Sequence, residues 1–198
     1  MRTEQSSTAL ATFEYDLNRL KGKLVNVLPY VRGYFAPDIS YQIWSQMAKE
    51  DVLKLIFFEE PLKETPIATH ADLAFVTEYF LNPQRIVLLV TDKELGELAG
   101  VIWFDSILPH FRAHGSYWMR RKYWGHPTEE ASRIALDYMF NFVDVLSVWA
   151  YTPWLTSVKT TNRLGFDYIT ALPESTFAAG KVRDMHVSVM RREKFNHA

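Results

Sequence analysis

Residues 115–142 read GSYWMRRKYWGHPTEEASRIALDYMFNF, and the fold turns on them. Gly115–Met119 has the aromatic make-up of a short strand. Arg120-Arg121-Lys122 follows as a block of positive charge. Gly125-His126-Pro127-Thr128 then opens a helix: Pro127 costs nothing in a first turn whose N–H groups have no intrahelical acceptor. Ala131, Ile134, Ala135, Tyr138 and Phe142 recur at i, i+3, i+4, i+7 and i+11, which predicts the buried face of that helix. His126 or Thr128 suits the cap, and Glu129 and Glu130 complement the helix dipole. A strand that feeds a helix start through a basic turn leaves backbone N–H groups and partial positive charge where an anion can be held.

Upstream, Ile86-Val87-Leu88-Leu89-Val90 and Leu98–Phe104 flank the polar segment Thr91–Glu97, which reads as an antiparallel hairpin. Downstream come a strand at Leu146–Tyr151, a helix at Thr156–Leu164 stopped by Gly165, a strand at Phe166–Thr170, and a last strand at Asp184–Met190. The order is strand, strand, strand, helix, strand, helix, strand, strand. Before the hairpin, Leu17, Leu20, Leu24, Val27 and Val31 predict a helix over Phe13–Tyr34, and further helices are expected at Ser40–Lys49 and Thr69–Leu81, the last closed by Asn82-Pro83. No linker or repeat divides the chain. We expect one domain over residues 1–198, with a flexible tail at 1–12, a variable helical part at 13–84 and a core at 85–195.

Composition narrows the function classes. The 198 residues carry 22 Lys plus Arg against 23 Asp plus Glu, a net charge of −1, and are 48% hydrophobic. That balance lacks the basic footprint of a general nucleic-acid binder, and the core-forming content is not that of a disordered chain. With no cysteine there is no disulfide framework, thiolate metal site or cysteine nucleophile. The six histidines are scattered, so no metal site is expected. Apolar runs are too short for a membrane span and Met1–Thr8 is polar, so a soluble, cytoplasmic protein is the expectation. Walker, Gly-x-Gly-x-x-Gly, His-Glu-x-x-His and Gly-x-Ser-x-Gly motifs are absent.

Ala99-Gly100-Val101-Ile102-Trp103-Phe104, Ser116-Tyr117-Trp118-Met119, Tyr123-Trp124-Gly125 before a Glu-Glu-Ala helix, and Ser157-Val158-Lys159 leading to Leu164-Gly165-Phe166 share an order and spacing. Through them Ile86–Lys194 resembles the GCN5-related N-acetyltransferases, most closely the branch that acetylates ribosomal-protein and other N-termini, with its phage-encoded relatives. The resemblance implies a single-domain α/β (α+β) fold: a central mixed, twisted sheet flanked by helices, whose fourth and fifth strands splay apart. It implies acetyl-coenzyme A as co-substrate, the pantetheine arm lying in the opening and the pyrophosphate at the start of the following helix. Cofactor contacts are then expected from Met119, Arg120, Arg121, Lys122, Gly125, His126, Thr128 and Ser157. The family pattern (Gln or Arg, two residues, Gly, one residue, Gly or Ala) is met only as Lys122-Tyr123-Trp124-Gly125-His126-Pro127. Pro127 removes one N–H donor, and Glu129 and Glu130 set carboxylates in the first turn, against which stand Arg120, Arg121, Lys122 and Arg133.

Amine acetylation needs a base for the nucleophile and donors for the thioester oxygen. The donor is expected from backbone N–H groups near Met119 and Arg120. The family's Glu near the start of the fourth strand and Tyr before the Gly-Phe pair are replaced by His114 and Thr161, which makes His114 the candidate base. His110 and His126 are weaker candidates. The aromatics of Trp149–Trp154 line an acceptor pocket or fill the core, and Asp105, Glu59 and Glu60 are candidates to shape the amine site. The expected function is direct acetyl transfer to a primary amine, whether a protein N-terminus, a lysine or a small amine. The alternative is a catalytically silent relative, an interaction or assembly protein of a phage, which the missing Tyr and the acidic helix start favour. No nucleic-acid or membrane partner is expected.

Overall fold

The structure is a computed structural model that describes residues 20–29, 82, 84–178 and 181–197. The strands are β1 (Val25–Pro29), β2 (Ile86–Asp92), β3 (Leu98–Leu108), β4 (Arg112–Met119), β5 (Ser147–Thr152), β6 (Asp167–Ala178) and β7 (Lys181–Arg191). The helices are α1 (His126–Asn141), α2 (Leu155–Leu164) and α3 (Arg192–Asn196), with a 3-10 turn at Arg121–Tyr123. Among the described residues the strands form a seven-stranded sheet in the order β1-β2-β3-β4-β5-β7-β6. Every neighbouring pair is antiparallel except β4 and β5, which run parallel. This is the mixed α/β sheet that the resemblance implies. Among the described residues no helix is long and apolar enough to cross a membrane.

The hairpin expected at residues 86–104 forms as β2 and β3. Asp92 closes its turn by accepting the N–H groups of Glu94 and Leu95 at 2.8 and 2.7 Å. One face of the sheet packs against α1: Leu88, Ile102, Phe104, Val148 and Met190 meet Ala131, Ala135, Leu136, Met139 and Phe140. The buried stripe of α1 is therefore turned from the predicted one. Leu136, Met139 and Phe140 take the centre, while Ile134 and Tyr138 pack at its flank.

Two further expectations are corrected. Residues 25–29 are a strand, not part of a helix: Val25 and Val27 are wholly buried while Leu24 stands half-exposed, so the apolar period is two residues. Pairing with β2 from Val25↔Asp92 to Pro29↔Leu88 decides the conformation that the apolar spacing left ambiguous. The cap of α1 is Gly125 and neither His126 nor Thr128; its φ of 92° and ψ of −130° suit a residue without Cβ. Residues 20–24 of that predicted helix are likewise not helical, Lys21 forming an isolated bridge with Asn26; its remainder at 13–19 and 30–34, the helices at 40–49 and 69–81, the tail at 1–12, and Glu59 and Glu60 lie outside the described residues.

Candidate active site

β4 and β5 pair only through Arg112↔Ser147, Ala113↔Val148 and His114↔Trp149. Beyond these rungs β4 continues to Met119 and β5 to Thr152 without pairing. The opening holds a cleft of about 220 Å³ walled by Gly115 and Tyr117 of β4, Ala150 and Tyr151 of β5, and Ser157 and Thr161 of α2. A second cavity of about 190 Å³ shares Tyr117 and Ser157 and reaches Gly125 and Thr128 at the start of α1 and Lys159 and Arg163 on α2. The shared walls set the two end to end, from the gap in the sheet to the N-terminus of α1.

Backbone geometry gives the gap its donor. Arg120 N–H donates to Ala99 O at 2.9 Å, so it belongs to the β3–β4 ladder. Alternation along an antiparallel strand turns the N–H of Met119 to the opposite edge, where β5 has departed. Met119 C=O on that edge is taken by the indole N–H of Trp124 at 2.8 Å. Of the two amides expected near the strand end, Met119 faces the gap and Arg120 does not. The Met119 side chain itself is in the core.

The basic turn serves a different purpose from the expected one. Arg120 donates to Glu97 Oε2 at 3.0 Å, while Lys122 and the Tyr123 hydroxyl both bind Glu97 Oε1. Lys122 first, then Tyr123 and Arg120, hold the Glu97 carboxyl down at about 2. Arg120 and Lys122 thus tie the turn to the β2–β3 hairpin instead of aiming at the cavity. Arg121 is exposed, and His126 is exposed with Nδ1 3.8 Å from Glu129. Thr128 is buried, its hydroxyl donating to Tyr123 O at 2.7 Å, and it lines the second cavity.

The two glutamates separate. Glu130 turns away and accepts the N–H groups of Lys23, Leu24 and Val25 at 2.6, 2.7 and 3.1 Å. Glu129 stays near the cavity and pairs with Arg163, Oε1 to Nε 3.3 Å. Sequence reading missed Lys159 and Arg163, although their spacing of four residues with Thr156 and Thr160 marks one polar face of α2.

On the sheet face away from α1, His114 stands at the foot of the gap opposite Asp105, with Nδ1 3.6 Å from Oδ1. It is not among the cleft-lining residues, but its ring lies 4.9 Å from that of Tyr151, which is. Tyr151 in turn stacks on Trp149. Thr161 cannot replace the family's Tyr directly: it is buried, its hydroxyl donating to Val158 O at 3.0 Å. His110 pairs with Asp144 at 2.6 Å, away from the gap.

No family model matches the chain, and no curated protein matches it by sequence. Solved structures do match. The chain is similar to spermidine N-acetyltransferase from Vibrio cholerae in complex with CoA and spermine, with a TM-score of 0.68 and 17% identity over 88% of this chain and 99% of that one. It is also similar to ribosomal-protein-S5-alanine acetyltransferase from Vibrio fischeri, at 0.65 and 17% over 88% and 97%. At that identity the likeness shows a shared fold.

Proposed function

We propose that the protein transfers an acetyl group from acetyl-coenzyme A to a primary amine, directly and within a ternary complex. The observation that carries this reading is the parting of β4 from β5 after three rungs, which opens a cleft through the sheet. The groove fits the co-substrate in both shape and charge. Its narrow apolar part between the strands suits a pantetheine arm, and its far end offers the amides after Gly125 with Lys159 and Arg163 for a diphosphate. Acetyl-coenzyme A supplies an activated acyl thioester. The chain's own groups do the rest: Met119 N–H donates to the developing oxyanion, and Ser157 lines the arm. His114 takes the proton of the acceptor amine.

The acceptor side is the face bearing Trp103, Ser116, Trp149 and Tyr151, with Asp105 as its carboxylate. Aromatic walls beside one negative charge suit an aliphatic amine. The neighbours named above divide between a spermidine N-acetyltransferase and a ribosomal-protein-S5-alanine acetyltransferase, so spermidine and an alanine-led peptide are the first acceptors to try. A second reading, a silent relative kept for assembly, is favoured by Glu129 pairing with Arg163, a cation that lines the second cavity.

Thermal unfolding with acetyl-coenzyme A separates the two. Ligand at a hundred times its dissociation constant stabilises by about 2.7 kcal/mol and raises the midpoint. No rise at millimolar concentration overturns the enzyme reading in favour of the second.

A further inference from the structure

We infer that Asp105 is a positioning residue for His114, holding the imidazole with its proton on Nδ1 and its lone pair on Nε2. This rests on the acetyltransferase reading above and adds a residue to it. The two are direct cross-strand partners, Asp105↔His114, so their side chains leave the sheet on the same face. Nδ1 is the nitrogen that faces the carboxylate, at 3.6 Å, a separation that a small side-chain rotation closes to a hydrogen bond. Both side chains are about 30% exposed (30% and 29%), which leaves the pair open to an arriving substrate.

Two features make the placement more than a surface ion pair. β3 leaves its regular register immediately after Asp105, with Ser106 at φ 49°, so the carboxylate sits on the last regular rung before an irregularity. On the other side the imidazole meets the ring of Tyr151 at 4.9 Å with an interplanar angle of 57°, and that tyrosine walls the cleft. Asp105 and Tyr151 therefore clamp the ring from two strands that flank β4. Beside its β5 partner Trp149, the titratable and charged groups on its face among the described residues are Asp105 from β3, Tyr151 from β5, and Arg112 two positions back on β4, whose guanidinium lies over the Phe111 ring at 5.6 Å.

A carboxylate beside Nδ1 favours the tautomer with hydrogen on that nitrogen, which leaves the Nε2 lone pair to accept a proton. The acid–base balance is simple. The amine proton passes to Nε2 as the nitrogen lone pair attacks the thioester carbon, the C–S bond breaks, and the thiolate leaves with its electron pair.

Nitrogen-15 NMR of histidine-labelled full-length protein, with His114 identified by its loss in His114→Gln, is expected to show the Nδ1–H tautomer at neutral or higher pH. The Nε2–H tautomer in the wild type overturns the inference, and this measurement needs no acceptor and no Asp105 variant. In kinetics with spermidine and an alanine-led peptide as probe amines, Asp105→Asn is expected to lower kcat by up to about 100-fold, part of what a positioned base supplies. The KM for acetyl-coenzyme A should stay as it was, and Asp105→Glu should recover part of the loss. Wild-type turnover in Asp105→Asn, beside lost turnover in His114→Gln, overturns the role of Asp105 and leaves the enzyme reading intact. Absence of acetyl-coenzyme A binding by the wild type in calorimetry removes the reading and the inference together.

Discussion

The carboxylate of Glu130, just past the first turn of α1, accepts the backbone N–H of Leu24 at 2.7 Å across 106 positions of sequence. With the neighbouring bonds from Lys23 and Val25 it fastens the entry to β1 onto the helix that opens the candidate cofactor site. Gly22 is part of the same joint, because a Cβ there lies 2.7 Å from the Glu130 carboxylate. Glu130→Ala is expected to destabilise the fold by about 1 to 2 kcal/mol, the range for partly exposed bonds to a charged acceptor. Gly22→Ala should cost a similar amount, and the double variant less than the sum. Denaturant unfolding of the four proteins checks this.

Glu129 and Arg163 make the second expectation. If Arg163 releases Glu129 to hold a diphosphate, Glu129→Gln removes a competing anion and tightens acetyl-coenzyme A binding, whereas Arg163→Ala weakens it about tenfold. Lys159→Ala should weaken it as well. Calorimetric dissociation constants at two salt concentrations test all three, and binding by the wild type should be the most salt-sensitive of the set.

His114→Ala is expected to lower kcat about a hundredfold with either probe amine, the usual contribution of a positioned base. Its binding of acetyl-coenzyme A should match the wild type, since His114 does not line the cofactor groove. Unchanged turnover would remove it from the chemistry.

The Glu97 knot sets an acid limit on the fold. Its carboxyl is lowered from 4.5 to about 2 by Lys122, Tyr123 and Arg120. A lowered folded-state value means that the contribution to stability is complete above about 4.5 and fades as pH falls toward about 2. Asp144, held down by Arg192 and His110, and Asp167, held down by Lys194, act in the same direction. Thermal midpoints should therefore fall on acidification across that window, and Glu97→Gln should flatten the dependence while loosening the turn at residues 120–124.

Local chemistry carried much of the fold. Pro127 after Gly125, the apolar blocks of β2 and β3, and Gly165 ending α2 each dictate their own conformation from a few residues, so they could be read directly. β1 could not be, because Leu20, Leu24 and Val27 fit a helical spacing and only the edge of β2 selects the strand. Of the residues expected at the site, Gly125, Thr128 and Ser157 line the two cavities. Arg120 and Lys122 misled, since charge in a sequence carries no direction and Glu97, some two dozen positions earlier, had first claim on both. Asp105 faces His114 only because a cross-strand register pairs them, a relation that no spacing along the chain encodes.

The three rungs shared by β4 and β5 have a mechanical meaning. They are a seam between two antiparallel halves, β1 to β4 on one side and β5 to β7 on the other, each internally laced over far longer ladders. An occupant of the groove spans that seam and acts as a rivet, so the molecule should be stiffest when loaded and breathe first along the line from Gly115 to Met119.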